Sequence, residues 1–299
     1  MTHTSTFNDS LVRGVPVEWR GQRLLIKIGG EVALNSPGLD SVMSQVAVLV
    51  SHGVEVVVVH GGGPQADALA ARLGHTVRKV AGRRVTDDDA LEVAKLVYGG
   101  SINVDLLATL GRHGARGVGL SGVDAGLVQV ARRPPVLIHA SQTDMEEWVD
   151  FGHVGDVVSV DVSLLELLLE QGYTPVVASL AADKEGKIYN VNADTVAQAL
   201  AVALGVSRLV LLTNVPGIMR DPADHATLLP TCTASELEAL VAVGAITGGM
   251  LPKVRNCIEA LAAGVGSVQV LNGALDRPPL LESLHGGAGI GVGTLITKD

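Results

Sequence analysis

Short apolar runs alternate along this chain with stretches of helical periodicity. Residues 23–28 (RLLIKI) form a brief apolar run stopped by Gly29-Gly30, the pattern of a buried strand entering a tight turn. Apolar positions at helical spacing follow over 38–52. Residues 54–59 (VEVVVV) are almost all β-branched, which predicts a strand covered on both faces. That strand runs into His60-Gly61-Gly62-Gly63-Pro64 and a helical stretch over 65–73. The alternation then recurs, with helices expected near 88–113, 161–171, 194–204, 234–243 and 250–263. Strands are expected near 116–120, 174–179, 208–213 and 267–271. Such alternation implies right-handed crossovers and an α/β fold, an open αβα sandwich whose central sheet is mostly parallel. Over 127–155 the pattern weakens into short polar and β-type pieces, expected to be hairpins or a lid and not core. Residues 1–21 have the character of a weakly ordered extension. A lobe boundary is expected near residue 205, dividing 22–204 from 205–299 without a flexible linker. The stretch from Gly286 to Gly293 is expected to be a turn.

Composition narrows the picture. With 299 residues, 47% of them hydrophobic, the chain can bury a large core. Its 36 glycines and 2% aromatics suit close backbone packing around small ligands better than base stacking. The net charge of −9 argues against a broad basic face for nucleic acid, although a pocket inside an acidic protein can still be locally positive. Cys232 and Cys257 lie far apart without metal-ligand spacing, which points to a reducing, cytoplasmic setting. The first twenty residues lack the apolar core of a secretory signal, and no uncharged apolar run reaches membrane-spanning length.

Three turns, two of them glycine-rich, fall where strands end, the place at which open α/β sheets bind ligands. In Lys27-Ile28-Gly29-Gly30 the glycines let backbone N–H groups approach a phosphate, and Lys27 can aim its charge there. An ordinary turn beside a surface lysine accounts for the same letters. The three glycines after His60 form a backbone nest before a helix, suited to a carboxylate or a phosphoryl group. Asn190-Val191-Asn192-Ala193-Asp194 precedes an Ala-rich helix. There Asp194 suits an N-cap, or equally an acid that orients lysines, with Asn190 free to bond a small substrate. Gly248-Gly249-Met250-Leu251-Pro252-Lys253 is a further glycine turn that leads a lysine into a helix. Arg84, within Gly82-Arg83-Arg84-Val85-Thr86, has the chemistry to clamp a carboxylate, although most isolated arginines are solvated. There is no G-x-x-x-x-G-K-[ST], no H-E-x-x-H, no G-x-S-x-G and no protein-kinase motif set.

Taken in order, LLIKIGG, VVVVHGGGPQ, GRRVTD, GLSGVDAGL, GHVGDV, the run 173–179, YNVNADTVA, LVLLTNVPGI and ITGGMLPKV resemble the amino acid kinase family. The resemblance spans about residues 22–297, and nine pieces in the right order are specific where each alone is weak. It implies a substrate-binding N-terminal lobe and an ATP-binding C-terminal lobe. The implied reaction is ATP-dependent phosphorylation of the γ-carboxylate of N-acetyl-L-glutamate, in arginine biosynthesis. Lys27 and Lys253 would stabilise the transition state and Asp194 would organise both. Gly62, Gly63, Arg84 and Asn190 would hold the acetylated amino acid. Gly29, Gly30, Thr213, Asn214, Gly217, Gly248, Gly249 and Met250 would surround ATP, which brings its own Mg²⁺; no protein metal site is implied. A homodimer or higher homo-oligomer is expected, with no nucleic-acid or membrane partner. A carrier-bound aminoadipate or glutamate kinase of lysine biosynthesis, and a non-catalytic metabolite sensor on the same fold, stand as alternatives. The chain departs from the usual family pattern at Ala81-Gly82 and at Gly100-Ser101-Ile102-Asn103-Val104.

Overall fold

The computed structural model describes residues 14–34, 36–80, 82–139, 146–221, 224–246, 250–285 and 292–299. In chain order the strands are β1 (Arg23–Ile28), β2 (Glu55–His60), β3 (Lys79–Val80), β4 (Arg83–Arg84), β5 (Gly117–Ser121), β6 (Val128–Arg132), β7 (Val136–His139) and β8 (Glu146–Val149). They continue as β9 (Gly155–Val160), β10 (Thr174–Ala178), β11 (Leu180–Ala182), β12 (Ile188–Asn190), β13 (Arg208–Thr213), β14 (Thr231–Thr233), β15 (Val268–Asn272) and β16 (Thr294–Thr297). The helices are α1 (Ser36–Ser51), α2 (Gly63–Arg72), α3 (Asp88–Ala94), α4 (Asn103–Arg112), α5 (Ser163–Glu170), α6 (Ala193–Ala203), α7 (Ala234–Ala242) and α8 (Met250–Ala262).

Among the described residues, an eight-stranded sheet has the order β14-β16-β15-β13-β1-β2-β10-β5. From β15 to β5 every neighbouring pair is parallel; only β16 runs against β15. The chain leaves β1 toward β2 on one side and returns to β13 on the other. This reversal of winding opens a crevice at the C-terminal ends of the strands, the ligand position of open α/β sheets.

Period-2 alternation sorts the strand residues onto two faces. Leu24, Ile26, Ile28, Val56 and Val58 pack with α1 and α4 residues such as Val46 and Leu106. Leu25, Val57, Val59, Leu209 and Leu211 pack against Val196 and Leu200 of α6 and Val254 of α8. The sheet is therefore buried on both faces, as the β-branched run at 54–59 requires.

Three parts differ from expectation. The region 127–155 is more than hairpins. The β7–β8 hairpin is present, but β6 and β9 join a four-stranded sheet with β11 and β12. Leu127, Val128 and Val130 are buried in the second core cluster. Two or three apolar residues per strand were enough there because the strands are short. Within the expected extension, Trp19 is buried and its Nε1 donates to the Leu284 carbonyl at 3.0 Å. Residues 1–13 lie outside the described residues, as does most of the expected turn at Gly286 to Gly293. Finally, the expected helix near 88–113 is continuous but not uniform. A π-helical segment, Lys95–Ile102, separates α3 from α4. The exposed Ser101 and Val104 flank its end, so those departures from the family pattern fall on the surface, while Ile102 and Asn103 are buried.

Candidate active site

Lys27 is the fifth residue of β1 and shares the face of Leu25, which turns it toward α6 and α8. Asp194 sits in the first turn of α6. Asn192 takes the N-cap role, its side chain accepting from the Asp194 backbone N–H at 2.7 Å. The Asp194 carboxylate is thus freed from capping. Its Oδ1 stands 2.8 Å from Lys27 Nζ, and its Oδ2 accepts a 2.8 Å hydrogen bond from Lys253 Nζ, one turn into α8. All three side chains are largely shielded from solvent.

Burial acts on these groups in opposite senses. It pushes the Asp194 carboxyl up, but the Lys27 and Lys253 ammoniums overcome this and hold it well below the usual carboxylate range. For Lys27 burial dominates; Asp194 offsets part of it, Lys253 adds to it, and the ammonium ends below an ordinary lysine. The triad carries two positive charges against one negative, so it retains a net attraction for an anion.

The two glycine turns meet beside it. A Cβ on Gly29 would lie 3.9 Å from Lys27 Nζ, placing the ammonium at the β1 turn. A Cβ on Gly30 would come within 2.7 Å of Pro64 Cδ and 3.1 Å of the Gly63 nitrogen. The β1 turn therefore touches the start of α2, and only glycine permits that approach. Gln65 bridges the same gap, its Nε2 donating to the Gly30 carbonyl at 2.8 Å. A Cβ on Gly61 would stand 3.4 Å from Ala193 Cβ, which brings the nest against the N-terminus of α6 beside Asp194.

The nest has a snug rear wall. A Cβ on Gly62 would fall 2.4 Å from Ile102 Cδ1 and 2.7 Å from Tyr98 Cδ1, both on the π-helical segment. In front, Gly63 has open space around its α-carbon. Arg84 Nη2 donates to the Gly63 carbonyl at 2.8 Å and forms an ion pair with Asp67 Oδ1 at 2.5 Å. Its Nη1 is buried with no hydrogen-bond partner. A buried guanidinium edge without an acceptor is what a ligand carboxylate would satisfy. Asn190, at the end of β12, donates from Nδ2 to Thr86 Oγ1 at 3.2 Å, and Thr86 lies two residues beyond Arg84. The GRRVTD segment so connects the nest to β12.

On the other side of β1, Thr213 ends β13. Its buried hydroxyl donates to the Val215 carbonyl at 3.1 Å and accepts from the Val215 N–H at 3.2 Å, fixing the turn that exposes Asn214. A Cβ on Gly217 would meet Thr294 Oγ1 at 2.6 Å, and that hydroxyl accepts from the Ile218 N–H at 2.8 Å. Met250 opens α8 ahead of Lys253. Gly248 and Gly249 lie outside the described residues.

The expected catalytic triad and the Gly62, Gly63 and Arg84 set are therefore brought together around the crevice. Sequence reasoning passed over Gln65, Asp67, Tyr98 and Ile102. Gln65 was inside a quoted motif and Asp67 just beyond it, but neither has a charge or spacing that distinguishes it from a helix surface residue. Tyr98 and Ile102 owe their position to the π-helical register, which has no counterpart in a 3.6-residue pattern.

A model of the amino acid kinase family matches residues 22–272. Acetylglutamate kinase from Sorangium cellulosum is 47% identical over 256 residues, covering 86% of this chain and 89% of that one. Acetylglutamate kinase from Methanothermobacter thermautotrophicus is 36% identical over 290 residues, covering 96% of this chain and 98% of that one. Among solved structures, N-acetylglutamate synthase from Neisseria gonorrhoeae, in complex with coenzyme A and N-acetyl-glutamate, superimposes with a TM-score of 0.77 at 27% identity. That match covers 94% of this chain but 61% of the synthase. Carbamate kinase from Giardia lamblia bound to AMP-PNP shares the fold, with a TM-score of 0.67 at 18% identity, over 93% of this chain and 99% of that one. With its sheet order, its glycine turns and matches of this extent, the chain belongs to the amino acid kinase family.

Proposed function

We propose that this protein transfers the γ-phosphoryl group of ATP to the γ-carboxylate of N-acetyl-L-glutamate, giving an acyl phosphate and ADP in arginine biosynthesis. Similarity to acetylglutamate kinases over most of the chain supports the substrate. One observation carries the chemistry: Lys27 and Lys253 are both held on Asp194 at the mouth of two touching glycine turns.

A γ-carboxylate, with an ordinary pKa of about 4.3, is already ionised at neutral pH and needs no general base. Its oxygen attacks the γ-phosphorus while the bond to the β-phosphate bridging oxygen breaks, and that electron pair leaves with ADP. No proton moves. The difficulty is electrostatic, since an anion must approach a polyanion. Two ammoniums and backbone N–H groups compensate the charge, as in phosphoryl transfer generally. The substrate nucleotide is Mg-ATP, whose ion adds further neutralisation when bound.

In this reading Lys27 and the Gly29-Gly30 turn face the transferring phosphoryl, and Lys253 faces the same group from α8. Asp194 keeps the two ammoniums apart and aimed. Gly62 and Gly63 cradle the acid, Arg84 takes a carboxylate on Nη1, and Asn190 bonds the acetylamino group. Thr213, Asn214, Gly217, Gly248, Gly249 and Met250 border the nucleotide. The division of labour places the acid in residues 22–204 and ATP in 205–299. A cytoplasmic setting is supported by the free, buried thiols of Cys232 and Cys257. Among the described residues, no helix is long and apolar enough to cross a membrane. Assembly as a homodimer or larger homo-oligomer is part of the same reading.

The test is incubation with Mg-ATP and N-acetyl-L-glutamate, followed by hydroxylamine, which traps an acyl phosphate as hydroxamate. Signal that requires both substrates supports the proposal. Signal only with an aminoadipate-type acceptor moves the enzyme to lysine biosynthesis, and silence with every acceptor makes it a sensor.

A further inference from the structure

Arg84 and Lys79 face each other across the β3–β4 hairpin as a cross-strand pair. Like charges in that position repel and would splay the hairpin. Asp67, on α2, pairs with both: its Oδ1 forms an ion pair with Arg84 Nη2 at 2.5 Å, and its Oδ2 accepts a hydrogen bond from Lys79 Nζ at 2.8 Å. α2 is the helix that the glycine nest opens. A single carboxylate therefore fastens the arginine hairpin to the nest helix.

The guanidinium is fixed on one side only. Nη2 is used twice, by Asp67 and by the Gly63 carbonyl, while Nη1 is buried and unpartnered. Rotation of the guanidinium would exchange these edges, and the two Nη2 partners oppose that rotation. The cluster of Lys79, Asp67 and Arg84 keeps a net positive charge, so the fastening does not cancel the attraction for an anion.

We infer that Asp67 is a positioning residue that presents Arg84 Nη1 to the carboxylate of the acetylated amino acid, without itself touching the substrate. The inference rests on the reading that Arg84 takes that carboxylate. A charge-assisted hydrogen bond of this kind corresponds to roughly a tenfold to hundredfold change in affinity.

The experiment is initial-rate kinetics with hydroxamate detection, varying N-acetyl-L-glutamate and Mg-ATP separately, with thermal melting of each variant. Asp67→Asn should raise KM for the acid about tenfold or more, with KM for ATP and kcat changed less than about twofold. Asp67→Glu should restore most of the loss. In an Arg84→Ala background, Asp67→Asn should add nothing further. An unchanged or lowered KM for the acid in Asp67→Asn overturns the inference while leaving the Arg84 reading intact, provided Arg84→Ala alone raises that KM. A flat Arg84→Ala removes the reading and the inference with it. A parallel rise in both KM values with a drop in Tm marks Asp67 as merely structural and also overturns it.

Discussion

Lys27 and Lys253, from the first core strand and the last long helix, stand on the two oxygens of one carboxylate, each 2.8 Å from Asp194. Two largely buried ammoniums so close together repel strongly unless an anion separates them. Asp194 is that anion in the resting protein, and a transferring phosphoryl group would be the second. Asp194→Asn keeps the shape and removes the charge. It should lower kcat by about a thousandfold, and Lys253→Ala should cost about a hundredfold to a thousandfold, comparable to losing an oxyanion donor. Single-turnover hydroxamate formation measures both. Near-normal turnover in Lys253→Ala would end its assignment to the transition state.

The wall behind the nest makes a steric prediction. In Gly62→Ala the new methyl meets Ile102 Cδ1 at 2.4 Å and the Tyr98 ring at 2.7 Å. Overpacking of this kind costs about 1–3 kcal/mol, and relief can come only by moving the π-helical segment or the nest. Tm should fall and KM for the acid should rise. Ile102→Val removes the closest atom, so the double variant should recover part of the Tm. Absence of any recovery would mean that the Tyr98 ring alone sets the limit.

Strand and helix positions were legible because their causes are local. The β-branched run before His60 can only be a doubly covered strand, and a glycine pair after Ile28 can only be a turn. Lys27 was harder: nothing within six residues shows that it faces α6, which follows from period-2 alternation once the sheet order is known. The roles of Asn192 and Asp194 were separable only in three dimensions, since either suits an N-cap by its letters. The region 127–155 was underestimated because β6 pairs with β11, tens of residues away, while β9 joins it on the opposite edge. Gly248 and Gly249 stand as expectations on the motif alone.

The ammonium of Lys27 gives a pH dependence with a definite sign. On the proposed role of Lys27 the protonated lysine is the active form, and burial lowers its pKa below that of an ordinary lysine. Activity should therefore be retained on the neutral side and lost as pH rises through this lowered value, before free lysines titrate. Asp194 raises the pKa of Lys27, so in Asp194→Asn the residual activity should fall away at still lower pH. A pH profile of kcat on both proteins measures the two limbs. Coincident alkaline limbs would show that the lysine and the carboxylate are uncoupled.

His60 links the acid nest to the stability of the whole sheet. Its ring is fully buried; Nδ1–H donates to the Gly61 carbonyl at 2.9 Å, and Nε2 accepts from Asn103 Nδ2 at 3.1 Å. Asn103 is held in turn on the Val176 carbonyl at 2.9 Å. Burial takes the imidazole down to about 4, and the Gly61 carbonyl only partly opposes it. A proton on Nε2 would turn that acceptor into a donor facing the Asn103 amide donor. The unfolded chain binds that proton at ordinary histidine values, near 6.5, so it binds more protons than the native state between 6.5 and about 4. Stability should be full above that window and should fall as pH drops through it, by roughly 3 kcal/mol at the lower end. Urea unfolding at a series of pH values measures the slope, with His60→Gln as the comparison. The variant should be less stable at neutral pH but should lose this part of the acid dependence. A wild-type slope retained in His60→Gln would move the titration to another buried group.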